Sequence, residues 1–454
     1  MSSFDTAAGA VRGEEPASSD PEVLVVGGGP TGLLAANLLG QSGIGVLVVE
    51  SRPGAVEEPR AVSLDDEAMR SLQGAGLLEL ASRGVVLPGT GTKYFGARGQ
   101  LLAYARGPAK FSFGHPVKNP IDQPEFERML LEGLRRYPGV RVEFSATLLD
   151  FEQDGEGVSA RVRSSDGSVR SLRLRYLLGC DGGRSTVRHA LGIRMTGTTF
   201  AEPWIVVDCV DDPHDERFAM HHGDPRRPSV VVPGRAGRCR YEFMLLPGED
   251  PETASSLPFV RRLLAPHRGE VVPEQIVRSA VYTFHALVTE RWREGRAFLL
   301  GDAAHMMPPF AGQGLNSGMR DATNLAWKMA AVLRGIADDR LLDTYELERR
   351  PHAEAIIRLS TRLGGIMMTT NRAKARLRDA SIRTGAALPT VRRFLTEMRY
   401  KPAPTYKDGL LVKGSAGGDL AGRMLPQPRV LLADGGQAPL DDVLGPSFSL
   451  LAVD

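Results

Sequence analysis

The stretch Val23-Leu-Val-Val-Gly-Gly-Gly-Pro-Thr-Gly32 constrains this chain more than any other. It reads as a buried strand, a glycine turn and a helix start. Gly27 permits the tight turn, Gly29 lets backbone come close to a pyrophosphate, and Gly32 lets the helix pack against the strand. The first amides of the helix and its dipole then face the phosphates. A second apolar run, Val46-Leu-Val-Val49, ends in Glu50, 18 residues after Gly32, where a carboxylate can accept hydrogen bonds from ribose hydroxyls. The set predicts a βαβ unit that holds a dinucleotide. The plainer reading is a glycine-rich turn in an ordinary βαβ unit.

Two more segments decide which dinucleotide it is: Gly179-Cys-Asp-Gly-Gly-Arg-Ser-Thr-Val187 and Leu300-Gly-Asp-Ala-Ala-His-Met-Met-Pro-Pro309. With them the chain resembles the flavin-dependent aromatic hydroxylases, the single-component group typified by para-hydroxybenzoate hydroxylase. Gly27, Gly29, Thr31 and Gly32 stand in that family's FAD fingerprint. Asp181-Gly182 stands in its second motif, linked to both FAD and the pyridine nucleotide, and Gly301-Asp302 in its third, whose Asp holds the ribityl or ribose part of FAD. The resemblance runs from about residue 22 to about residue 411 and is greatest toward the 3-(3-hydroxyphenyl)propionate hydroxylases. Pro59-Arg-Ala-Val-Ser-Leu-Asp-Asp-Glu-Ala68, Trp204-Ile-Val-Val-Asp208, Gly312-Gln-Gly-Leu-Asn-Ser-Gly-Met-Arg-Asp321 and Glu397-Met-Arg-Tyr-Lys-Pro402 carry it.

The resemblance implies noncovalent FAD, NADPH or NADH as a transient co-substrate, and O2. The reaction would be hydroxylation of a small phenol ortho to its hydroxyl, through a flavin C4a-hydroperoxide. Cofactor chemistry of this kind asks the protein for binding, orientation and exclusion of water rather than a catalytic triad. Pro309 would form a rigid, dry wall beside the flavin ring, and the backbone amides of Gly314, Leu315 and Asn316 would polarise its carbonyl edge. Arg60 would contact FAD phosphate and receive the nicotinamide cofactor, and Gln123 would lie near the flavin. Each also has a structural reading: Asp302 and Asp181 as turn residues, the prolines as a helix lead-in, Arg60 and Gln123 as solvated surface.

Phe218-Ala-Met-His-His222 and Tyr241-Glu-Phe-Met-Leu245 read as strands over the ring. Where para-hydroxybenzoate hydroxylase has a tyrosine that activates the phenol, this chain has His221 and His222. His222 is the candidate base, and strand alternation lets only one of the pair face the pocket. Arg226 and Arg227 read as an exposed basic turn, with a substrate carboxylate as the rival reading.

These segments predict a mixed α/β fold. A Rossmann-like FAD domain (21–92, 118–195 and 280–350) is interleaved with a β-sheet substrate domain (93–117 and 196–279). A disordered tail (1–20) precedes them, and a helical segment (351–411) and a partial thioredoxin-like segment (412–454) follow. That last segment lacks Cys-x-x-Cys and is read as packing or homodimer contact. Helices are expected at Leu64–Leu80 and from Gly314, the latter with Leu315, Met319, Ala322, Ala326, Met329 and Leu333 as its buried stripe. Leu172–Leu178 is expected to form one strand, and Asp343 with Glu346 a capping box.

The balance of 56 basic against 54 acidic residues implies no nucleic-acid partner. No apolar run reaches the roughly 18 residues of a membrane span. The three cysteines show no metal-ligand or disulfide spacing, so no metal is expected and a reducing cytoplasm is. Two rivals remain. One is other flavin chemistry, such as an oxidase, a halogenase, or a tailoring hydroxylase or Baeyer–Villiger enzyme on an aromatic polyketide; the Trp-x-Trp-x-Ile of halogenases is absent. The other is a scaffold that keeps FAD without catalysis.

Overall fold

The computed structural model describes residues 20–58, 60–412, 420–445 and 447–451. The expected tail, except Asp20, and Pro59 lie outside the described residues.

Apolar runs without alternation suit strands covered on both faces, and they build the four inner strands of the first sheet. Its order is Arg293–Glu294, Ala297–Leu299, Tyr176–Gly179, Val23–Val26, Val46–Glu50 and Val140–Phe144. All neighbours are parallel except the antiparallel edge at Arg293–Glu294. The helix Pro30–Gln41 starts with proline at its first turn, where the missing N–H costs nothing, and packs on the long helix Gly314–Leu333.

The second sheet has the order Ile276–Tyr282, Trp204–Cys209, Cys239–Met244, Ser229–Pro233, Phe218–His222, Gly91–Phe95 and Leu101–Ala105. It is antiparallel except where Phe218–His222 runs parallel to Gly91–Phe95. This sheet exceeds the expected boundaries at 93 and 279. Trp204 pairs with Tyr282, so cross-strand bonding carries the edge strand three residues further. Met195–Thr199 leaves this sheet and pairs with His285–Thr289.

The expected strand Leu172–Leu178 divides at Arg175. Val169–Leu174 alternates between exposed and buried and joins an antiparallel meander with Val158–Arg163 and Thr147–Gln153. Tyr176–Gly179 is buried throughout and joins the parallel sheet. The expected helix Leu64–Leu80 begins at Asp66, because Asp65 caps it by accepting from Ala68 N at 2.9 Å, and it pauses after Gly74. The capping box does not form. Asp343 pairs with Arg293 at 2.7 Å, and Glu346 accepts from Trp292 N at 2.8 Å. Both acids are drawn to tertiary partners stronger than a local cap.

Helix Gly314–Leu333 buries Met319, Ala322, Ala326 and Met329, while Leu315 and Leu333 are half-buried. A second row, Asn316, Arg320, Asn324 and Lys328, is buried as well. Arg320 pairs with Asp65 and, at 2.6 Å, with Glu67. Lys401 reaches Asp65 at 3.0 Å, Asp66 at 3.3 Å and Glu67 at 2.8 Å. The three carboxylates converge closely enough to hold a metal ion, but Arg320 and Lys401 already pair with them. Lys328 pairs with Glu348 at 2.6 Å.

The helical segment becomes Thr344–Met367, Arg372–Ala386 and Pro389–Thr396. Beyond it, Arg429–Leu431 and Gln437–Pro439 form a hairpin and Leu440–Leu444 a short helix. This piece docks on helix Asp66–Gly74: Arg70 donates to Asp441 at 2.6 Å and Gln73 to Asp442 at 2.6 Å. Among the described residues no helix is long and apolar enough to cross a membrane.

Removing one partner of a buried pair strands a charge. Arg320→Met should therefore lower the unfolding free energy by about 3–5 kcal/mol in urea titration. A loss below about 1 kcal/mol would show that Lys401 alone satisfies the acids.

Candidate active site

The two sheets face each other across a cavity of about 730 Å3. Gly27, Gly29, Thr31, Glu50, Arg60, Gln123, Asp181, Asp302, Pro309, Gly314 and Leu315 all line it. Gly32, Asn316 and His222 do not.

The glycines divide their work. Gly27 has φ +108°, and a side chain there would strike the Cys180 carbonyl. Gly32 sits under the turn, where a side chain would strike the Gly27 carbonyl, so its part is packing rather than lining. At Gly29 nothing lies within 4 Å of where a Cβ would be, so the backbone is open to a ligand. Glu50 Oε2 accepts from Gly28 N at 2.7 Å, and Oε1 from Arg52 N at 2.9 Å and Arg52 Nε at 3.0 Å. Burial pushes its carboxyl pKa up, but these bonds and the Arg52 charge outweigh that and hold it below the usual value. Glu50 is thus an anion at the cavity edge.

Asp181 Oδ2 accepts from Thr186 Oγ1 at 2.8 Å and Val187 N at 3.1 Å, while Oδ1 is buried without a partner. Asp302 is open to the cavity yet enclosed by protein. Desolvation raises its pKa, against the pull of His305 and Arg60. Its turn is held from behind. Asp321 Oδ2 accepts from Gly301 N at 3.0 Å and meets His305 Nε2 at 2.7 Å, and Oδ1 accepts from Arg349 Nε at 2.9 Å. An open Gly29, an anionic Glu50, an unpartnered Asp181 oxygen and a cavity-facing Asp302 fit a dinucleotide with sugar hydroxyls.

The loop that begins at Pro308 is clamped by Ser360, whose Oγ donates to Pro308 O at 2.6 Å and accepts from Ala311 N at 3.2 Å. Asn316 braces its other end, donating to Gly312 O at 2.8 Å and accepting from Asp65 N at 2.9 Å. Its side chain therefore holds the loop rather than lining the main cavity. Gln123 accepts from Ala61 N at 2.6 Å and donates to Glu127 at 2.9 Å, so it both lines the cavity and ties its floor.

On strand Phe218–His222 it is His221 that faces the cavity. His222 points to the other side, stacked on Phe95 at 5.0 Å and edge-on to His267 at 5.2 Å. His222 is therefore corrected as the catalytic candidate. Strand alternation puts one histidine of the pair in the cavity, and that one is His221. Burial, then Lys118 and His222, push His221 down to about 3. By the same alternation Tyr241 points into the second core, stacked on Phe243, and Arg240 and Glu242 face the cavity. The polar residues between Cys239 and Phe243 were the available signal for them. Arg240 pairs with Asp208 at 2.7 Å. Arg226 and Arg227 pair with Asp224 and Glu249 and do not line the cavity. A side pocket of about 30 Å3 shares Ser63, Lys118, His221, Phe310, Gly312 and Gln313 with the main cavity and adds Thr92, Tyr94, Met398 and Tyr400.

Residues 20–360 match the family described as FAD binding domain, and 422–454 the one described as HcaD C-terminal domain. A 3-(3-hydroxy-phenyl)propionate/3-hydroxycinnamic acid hydroxylase of Burkholderia cenocepacia is 42% identical over 429 residues, 94% of this chain and 78% of the relative. Among solved structures, aklavinone-11 hydroxylase with FAD and aklavinone superposes with TM-score 0.76 at 28% identity, covering 94% of this chain and 83% of that one. The flavin-dependent monooxygenase PieE, at TM-score 0.79 and 24% identity over 94% of this chain and 84% of its own, shares the fold. The chain belongs to the FAD-dependent aromatic hydroxylases.

Proposed function

We propose that FAD lies along Gly27, Gly29 and Thr31, with Glu50 and Asp302 at its sugar hydroxyls. Arg60 faces its phosphates, Asp181 lies between it and the pyridine nucleotide, and the stretch from Pro309 to Leu315 flanks its ring. The observation that carries this reading is the single cavity lined by all three flavin segments. The substrate is a small hydroxyphenyl acid, the class named for the Burkholderia relative, hydroxylated ortho to its hydroxyl. The aklavinone hydroxylase supports a second reading, an aromatic polyketide. The reaction balances as phenol, O2, NAD(P)H and H+ going to catechol, water and NAD(P)+. Bound FAD, reduced by NAD(P)H, supplies the oxygen chemistry.

The chain's own part is position, dryness and one hydrogen bond. The sequence holds one dinucleotide fingerprint, and FAD takes it, so NAD(P)H binds transiently across Arg60 and the Asp181 region. Pro309 and Phe310 offer no side-chain donors to water beside the ring. His221, neutral because burial and Lys118 oppose its charge, can accept a hydrogen bond from the phenolic hydroxyl. The three thiols, Cys180, Cys209 and Cys239, are free, which supports a reducing cytoplasm.

If a charged hydrogen bond contributes about 1.5–3 kcal/mol, Asp302→Ala should weaken FAD binding roughly 10- to 150-fold. Unchanged affinity in flavin titration removes Asp302 from the site. A phenol should also accelerate NAD(P)H oxidation, and mass spectrometry of the product should show one added oxygen; fast oxidation without any phenol, or a lactone product, opposes the reading.

The histidine makes a pH prediction. Its pKa is lowered from 6.5 to about 3, so between those values the unfolded chain binds a proton that the folded chain does not. Stability therefore falls as pH drops through that window, by about 1.4 kcal/mol per unit. In the native enzyme kcat/KM should show no acid limb near 6.5. A limb there that vanishes in His221→Gln would mean that the imidazole titrates normally.

A further inference from the structure

Five lysine and arginine side chains line the cavity wall. Arg52 is held by Glu50 at 3.0 Å and Arg240 by Asp208 at 2.7 Å. Arg60 and Arg184 are exposed. Lys118 differs. It lines both the main cavity and the aromatic side pocket, and among the described residues no carboxylate lies within 4.0 Å of its ammonium and no hydrogen bond is formed by it. Burial lowers its pKa, while the more distant Glu242 and Asp65 raise it. Asp65 is already held by Arg320 and Lys401. Burial raises the Glu242 carboxyl toward its neutral form, so neither acid is a dedicated partner.

The residue is held firmly from its backbone. Lys118 O accepts from Gly89 N at 2.9 Å, and the next residue, Asn119, pairs with Leu64 across a short two-stranded sheet. Lys118 is half-buried, and closing the cavity over a cation without a partner is costly unless a ligand supplies the counter-charge. In the main cavity it stands with Phe310 and His221, surfaces suited to an aromatic ring, while Tyr94 and Tyr400 close the narrow side pocket behind it.

We propose that Lys118 holds an oxyanion of the aromatic substrate. The inference rests on the hydroxylase reading above. The oxyanion is a carboxylate on the side chain of the ring or the phenolate itself; both ask for the same ammonium. In the phenolate case Lys118 also favours ionisation of the phenol, whose proton passes to solvent.

The test uses the FAD-loaded enzyme, Lys118→Met and Lys118→Arg. Three probes are titrated by perturbation of the flavin spectrum from pH 6 to 9: 3-(3-hydroxyphenyl)propionate, its amide and 3-(3-methoxyphenyl)propionate. If the carboxylate is held, Lys118→Met weakens both acids by about tenfold or more and the amide by less than about twofold. If the phenolate is held, Lys118→Met weakens the two phenols and raises the pH at which the bound phenol ionises by about one unit or more. Lys118→Arg keeps most of the affinity in either case. Equal effects on all three probes, or no effect on any, would overturn the proposal. So would lost FAD affinity with substrate affinities unchanged, which would put the ammonium at the flavin. Should Lys118→Met fail to fold, the native enzyme still decides: equal affinity for the three probes and no ionised bound phenol overturns the assignment. If no phenol speeds NAD(P)H oxidation, the hydroxylase reading itself fails, whereas these binding measurements still report on Lys118.

Discussion

The buried polar row on helix Gly314–Leu333 is the interaction on which the rest of the structure depends. Asn316, Arg320, Asn324 and Lys328 recur every fourth residue, so they share one face. Asn316 holds the Pro308 loop and the start of the Asp66 helix. Arg320 holds Asp65 and Glu67. Asn324 and Lys328 both hold Glu348, at 2.7 and 2.6 Å. One helix thereby locks segments more than two hundred residues apart in sequence. Apolar packing alone would let the helix slide or rotate with little penalty. Charges that must meet named partners fix its turn, and with it the direction in which Gly314 and Leu315 enter the cavity.

Asp321 does for the turn at Gly301 what Arg320 does for the Asp66 helix. It is fully buried, and its two oxygens receive Gly301 N, His305 and Arg349. Burial alone would push its pKa up, but the His305 and Arg349 charges hold it down, so it stays an anion. The turn that presents Asp302 is thus held by a carboxylate one helical step from the row that orients the loop. Cofactor-facing and substrate-facing walls share one rigid support, which is what a reaction dependent on the placement of a ring against a phenol requires.

The cofactor half was legible because its signals are local. Strand, glycine turn, helix start and acidic strand end lie within 28 residues, from Val23 to Glu50, and each follows from short-range sterics. The helix at Gly314 was legible by its apolar stripe. Its polar row was not, because a sequence shows polarity and not whether a partner meets it; Arg320 and Lys328 read as solvent-facing until Asp65, Glu67 and Glu348 are placed. The same blindness explains Asp343 and Glu346, whose spacing fits a cap but whose partners, Arg293 and Trp292, come from another segment. On the second sheet, periodicity says that His221 and His222 face opposite ways but not which way. Register settles it: His221 pairs with Val230 and His222 with Ser229, and the stacking of Phe95 on His222 takes that ring into the second core. Lys118 gave no signal, because a lone lysine between a valine and an asparagine resembles any surface loop.

Four titratable groups that line the cavity are displaced the same way. Burial lowers His221 and Lys118 and raises Glu242 and Asp302. Two bases and two acids are each pushed toward the neutral form, and in every case desolvation is the largest cause. Such a wall is a poor place for any charge that lacks a counter-charge, and a poor place for water. It is a good place for one ligand anion against one ammonium, because the attraction between them grows as the local dielectric falls. The dryness that protects oxygen chemistry and the selectivity for an anionic ring therefore have the same physical origin. Opening the wall to solvent by a polar substitution would weaken both at once.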